Sequence, residues 1–159
     1  SAGDWQAGEV RVERFVPVGL QGMTPLEVSF GDYLLLKGYA LSGTPRPGEA
    51  IELYLNWQAL AKMDRDYTVF VHLITPTEQI VAQDDAMPGR NLAPTSGWQP
   101  GEEVRDVIPL RLPADLRPGD YTLAVGVYYY LTGERLPIRR NGHGDRLLLG
   151  TVRVVEGAR

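Results

Sequence analysis

A two-residue rhythm set between closely spaced turns limits what this chain can fold into. From Ile51, the side chains of Ile51, Leu53, Leu55 and Trp57 fall on one side of an extended backbone, with Glu52, Tyr54, Asn56 and Gln58 on the other. From Tyr67 the first side is Tyr67, Val69, Val71 and Leu73, and the second is Thr68, Phe70, His72 and Ile74. From Tyr121 it is Tyr121, Leu123, Val125, Val127 and Tyr129 against Thr122, Ala124, Gly126, Tyr128 and Tyr130. A helix would need apolar residues three or four apart, so these segments read as strands. Further strands are expected at residues 10–16, 33–41, 79–84, 104–112, 135–138 and 147–155.

The turns carry their own signature, a glycine followed by an acid. It occurs at Gly3-Asp4, Gly8-Glu9, Gly31-Asp32, Gly48-Glu49, Gly101-Glu102, Gly119-Asp120, Gly133-Glu134 and Gly144-Asp145, using eight of the 18 glycines. Proline precedes three of them, at Pro47, Pro100 and Pro118, and Pro-Gly suits the two central positions of a type II turn. Glycine and proline together take 30 of 159 positions, yet 43% of the chain is hydrophobic, enough for a real core. The expected fold is all-β: an antiparallel β-sandwich, immunoglobulin-like or jelly-roll-like, of about eight to ten strands. Ser1-Ala2-Gly3 reads as a cloning remnant and residues 1–8 as a loose N-terminal segment, leaving 9–159 as a single sandwich domain. Short helical turns are expected at 60–63 and 114–116. The longest stretch without a strand signal is 86–101, and long ordered loops are often functional.

Little here supports catalysis. With no cysteine there is no thiol nucleophile, disulfide or zinc-thiolate site. The net charge of −4 argues against a phosphate-backbone surface, so no nucleic-acid partner is expected. His72 lies within a strand and His143 within a glycine-rich turn, while Ser29, Ser42 and Ser96 lack the context of a nucleophile elbow. A carboxylate pair is the one catalytic possibility left open: Asp84 and Asp85 are adjacent, but neighbours in a strand point to opposite faces, and most other acids fall in the turns. The chain is therefore read as no enzyme and as needing no cofactor. A calcium site built from Asp32, Asp84 and Asp85 is the alternative to a metal-free domain.

Binding offers more. Tyr54, Asn56 and Gln58, then Tyr128 and Tyr130, lie on the second faces of their strands, with small Ala124 and Gly126 beside the tyrosines. Rings that stack on sugar faces and amides that bond hydroxyls make a carbohydrate-binding sheet. The competing reading is that both faces are simply part-buried, tyrosine being a favoured strand residue. The candidate glycan face is Tyr54, Asn56, His72, Tyr128 and Tyr130, bordered by Trp98. Trp98 and Trp5 are alternatively rim anchors, or Trp98 packs the long loop onto the sandwich.

The long loop and its flanks carry a pattern specific enough to name. Pro94-Thr95-Ser96-Gly97-Trp98-Gln99-Pro100-Gly101-Glu102 is followed by Asp106, Leu110-Arg111-Leu112-Pro113, Pro118-Gly119-Asp120-Tyr121-Thr122-Leu123 and Thr132-Gly133-Glu134-Arg135-Leu136-Pro137. Upstream stand Phe30-Gly31-Asp32 and Leu55-Asn56-Trp57-Gln58-Ala59. Together they resemble the C-terminal, extracytoplasmic β-sandwich domain of dolichyl-phosphate-mannose-type membrane glycosyltransferases of Chloroflexi and of related surface proteins. The resemblance implies an accessory domain on the outer face of the membrane, joined to a larger membrane-anchored chain. It implies a glycan or polysaccharide as ligand, no insertion of this domain into the membrane, and no catalytic residue. A structural or protein-interaction module is the alternative. Tyr129 stands where that family more often has Asp.

Overall fold

The computed structural model describes residues 23–157. Nine strands lie among them: β1 (Thr24–Phe30), β2 (Leu34–Ser42), β3 (Ala50–Ala59), β4 (Tyr67–Ile74), β5 (Ile80–Ala86), β6 (Glu103–Arg111), β7 (Gly119–Tyr129), β8 (Ile138–Arg140) and β9 (Leu147–Val154). They form two antiparallel sheets, ordered β6-β3-β2-β1-β8 and β5-β4-β7-β9. The fold is the all-β sandwich the alternation calls for.

Each period-two segment turns its apolar side inward. Ile51, Leu53, Leu55 and Trp57 of β3 meet Val69, Val71 and Leu73 of β4 and Leu123, Val125 and Val127 of β7 in one core. Phe30 packs edge-on against Trp57, ring centroids 5.6 Å apart. Each such side chain is worth about 1.5–3 kcal/mol of burial, which explains why the alternation dictates register.

Three expectations need correction. β1 was not foreseen: Leu26, Val28 and Phe30 alternate over only a few residues behind Pro25, and β2 supplies the pairing that fixes them. The strand expected at 135–138 lies at Ile138–Arg140, although Arg135 does bridge to Tyr128. The stretches 60–63 and 114–116 are bends and turns, and the 3-10 turn among the described residues is Thr95–Gly97. The segments expected at 1–8 and 10–16, with Trp5, lie outside the described residues.

The loop from Met87 to Glu102 carries the chain from the edge of one sheet to the edge of the other, and it is pinned throughout. Trp98 is buried in the core, its Nε1–H donating to the Ala93 carbonyl at 3.0 Å. Buried Thr95 donates its hydroxyl to the Arg65 carbonyl at 2.7 Å and accepts the Tyr67 N–H at 3.0 Å. Asp106 of β6 accepts the Gly89 N–H at 2.9 Å, and Arg90 forks onto both oxygens of Asp84 at 2.6 and 3.0 Å. Trp98 thus packs the loop down and borders no binding face.

Candidate functional site

The candidate glycan residues do not form one face. β3 and β4 belong to different sheets, so the outward sides of their two alternations point away from each other across the sandwich. Tyr54 and Asn56 lie half-buried on the outside of the five-stranded sheet. Their polar atoms are engaged locally: Tyr54 with Glu52, and Asn56 with Glu103, which also holds Lys37 at 3.1 Å. His72 and Tyr128 lie together on the outside of the four-stranded sheet. Tyr130 falls just past β7 in an exposed turn. Nor do Asp32, Asp84 and Asp85 converge. Asp84 is taken by Arg90, Asp85 points to the opposite face of β5, and Asp32 sits in the β1–β2 turn of the other sheet. Among the described residues no three His, Asp or Glu side chains are grouped to hold a metal ion.

The outside of the four-stranded sheet is unusual for a two-layer sandwich. An antiparallel sheet with one face in solvent alternates buried and exposed residues. All eight residues of β4 are nevertheless buried. On its outer side these are Thr68, Phe70, His72 and Ile74, with Phe70 only 2% and His72 9% exposed.

The neighbours show how that burial arises. Phe70 pairs across the sheet with Gly126, and its ring lies in the space a side chain there would fill: a Cβ on Gly126 would stand 2.1 Å from Phe70 Cζ. An aromatic ring covering a cross-strand glycine is a recognised way of closing a sheet face. His72 stacks at 4.6 Å from that ring, over the small Ala124, and Tyr128 flanks it at 6.2 Å. Arg135 reaches the same side because it pairs with Tyr128, placing its guanidinium 4.5 Å from the Phe70 centroid.

Hydrogen-bonding groups ring these apolar surfaces. Tyr128 donates its hydroxyl to Asp85 Oδ2 at 2.8 Å. Burial and the carboxylate beside it push the Tyr128 pKa up to about 12, so this phenol stays a donor throughout the neutral range. Gln83 stands exposed beside His72 on β5. Burial lowers the His72 pKa, Asp85 opposing the shift and Arg135 and Arg146 reinforcing it, so its imidazole is neutral at pH 7. The result is a floor of rings and small residues with donors and acceptors at its margins. Phe70, Gln83 and Arg135 were not among the sequence candidates and Asp85 was one only as a calcium ligand; the register that joins them to His72 and Tyr128 is their only common signal.

Tyr129 stands where the sandwich domain this sequence resembles more often has Asp. Tyr129 turns toward the core side, against Tyr67 at 6.2 Å and beneath Arg65 at 4.7 Å.

The fold is similar to that of the C-terminal domain of wzt, with a TM-score of 0.60 over 86% of this chain and 83% of that one. At 13% identity the likeness extends to the fold alone. A Niemann-Pick type C2 protein from Japanese carpenter ant matches at a TM-score of 0.47 and 6% identity, covering 84% of this chain and 98% of that one, too faint to argue from. No family model matches the chain, and no curated protein matches it in sequence.

Proposed function

We propose that this chain is a non-catalytic carbohydrate-binding domain that takes glycan on the outer face of its four-stranded sheet. The observation that carries this reading is β4, buried along its whole length with Phe70 and His72 on a side that no strand covers among the described residues. A sugar ring needs an apolar surface for its C–H face and fixed donors and acceptors for its hydroxyls. Tyr128 and the edge of His72, packed over the buried Phe70 and Ala124, supply the first, and Asp85, Gln83 and the Tyr128 hydroxyl the second. The resemblance in sequence pattern to the glycosyltransferase-associated sandwich supports a role outside the cytoplasm, as an accessory domain of a larger membrane-anchored chain working on cell-envelope carbohydrate. A shallow site of this kind binds weakly, in the millimolar to micromolar range of roughly 4–8 kcal/mol. Nuclear magnetic resonance titration with a panel of envelope sugars tests it: shifts are expected at His72, Gln83 and Tyr128. Saturating sugar concentrations that leave all three unmoved refute the site.

A second reading rests on Leu92, Tyr130 and Leu131, which are 87%, 73% and 76% exposed. Leu92 sits in the β5–β6 loop and the other two in the β7–β8 turn, at the same end of the sandwich. There they suit contact with a partner or with the rest of the parent chain. Alanine at all three positions separates the two readings, since it leaves sugar binding intact and abolishes such an association.

A further inference from the structure

Two arginines lie across the proposed glycan face, and neither is needed to build the sheet. Arg135 rests on the Phe70 ring and holds Asp145 at 3.3 Å. Arg146, immediately before β9, pairs with Glu78 in the β4–β5 turn, 68 residues away in sequence. In the sheet order β5-β4-β7-β9, that pair spans the outer face from one side to the other. The Arg135 guanidinium lies over the Phe70 ring, His72 packs against that ring, and Asp85 is the cross-strand partner of Phe70.

Both ion pairs are open to exchange. Asp145 and Glu78 are 56% and 61% exposed at their side chains, and pairs in solvent contribute little to stability. A guanidinium freed from such a partner presents a planar fork that matches a carboxylate in two parallel hydrogen bonds. Asp85 is not free in this way, because the Tyr128 hydroxyl holds it. The same face therefore carries exchangeable cations beside a fixed carboxylate–phenol pair.

Resting on the glycan reading above, we propose that this face selects acidic saccharides, seating a sugar's anionic group between Arg135 and Arg146 while Asp85, Tyr128 and Gln83 bond its hydroxyls. A uronic acid carboxylate and a sugar phosphate share this chemistry.

Calorimetric titration of the whole chain with digalacturonic acid and with its neutral methyl ester isolates the charge, and glucose 6-phosphate against glucose distinguishes the phosphate source. The acid is expected to bind at least about tenfold more tightly than the ester at low salt, with the gap closing as salt is raised. R135Q/R146Q removes that preference, so that acid and ester bind this variant equally, and R135K/R146K, which keeps the charge but loses the fork, retains part of it. Melting temperatures lowered in both variants by no more than the few degrees that loss of the Arg135–Phe70 contact accounts for exclude misfolding as the cause. Equal binding of acid and ester, or a preference that survives in R135Q/R146Q, overturns the inference and leaves the glycan reading standing. Absence of binding by every sugar, charged or neutral, overturns both.

Discussion

Replacing Gly126 by alanine tests how the outer face is built. The added Cβ would lie 2.1 and 2.2 Å from Phe70 Cζ and Cε2, distances no real contact reaches, so the ring must leave its place. Gly126 carries no positive φ, so the backbone itself accepts alanine and any cost comes from the ring. Displacing a ring that is 2% exposed loses about 1.5–3 kcal/mol of burial and about 0.5–1 kcal/mol for the Arg135 contact. Alanine in place of a strand glycine returns about 0.5–1 kcal/mol through lower unfolded-state entropy. The net loss is about 1–3.5 kcal/mol, roughly 2–14 °C in melting temperature for a domain of this size. Urea denaturation of the G126A, F70A and F70A/G126A chains measures it. If the ring is the cause, G126A costs nothing in the F70A background, and the two changes are strongly non-additive. A G126A chain within about 0.5 kcal/mol of the parent, or the same loss with Phe70 already removed, refutes this account of the face.

Other expectations follow from single buried groups. T95V should cost about 2–3 kcal/mol in denaturation, because it strips partners from the Arg65 carbonyl and the Tyr67 N–H without changing shape. Burial raises the Asp106 pKa, only partly offset by the Gly89 N–H and Arg90. Asp106 therefore favours folding most below the ordinary carboxylate value of 3.8, and that contribution is lost as pH rises through its folded value. D106N should accordingly be the more stable chain at pH 7, with the difference from the parent shrinking in melts run toward pH 4. His72 has the opposite sign. Its lowered pKa gives stability above the ordinary 6.5 that is lost as pH falls through the folded value, so H72Q should flatten the acid side of the melting profile.

The sandwich was legible because burial on one side of a strand writes itself into the sequence at period two. β3, β4 and β7 all begin or end within a residue or two of the segments that alternation marks out. β1 escaped because its rhythm is short and Pro25 interrupts its start, and only pairing with β2 makes it a strand. The binding face was legible only in halves. Alternation says that Tyr54 and Asn56 share a side, and likewise His72 with Phe70, or Tyr128 with Gly126. It does not say which strands become neighbours, and that alone decides that Tyr128 joins His72 while Tyr54 lies on the far side of the core.

The same argument explains why the most distinctive residues of the face looked unremarkable. Gly126 reads in sequence as a weak point in a strand, and Phe70 as one more aromatic. Their meaning arises from being cross-strand partners 56 positions apart, where the missing side chain of one holds the ring of the other. Arg135 follows turn residues and reads as solvated surface, until its bridge to Tyr128 sets it over that ring. Charge placement of this kind depends on register, which local sequence does not encode. A face assembled from β4, β5, β7 and the turns on either side of β8 can therefore be re-specified by changing exposed or part-exposed residues such as Gln83, Arg135 and Arg146 without touching the alternation that folds the chain.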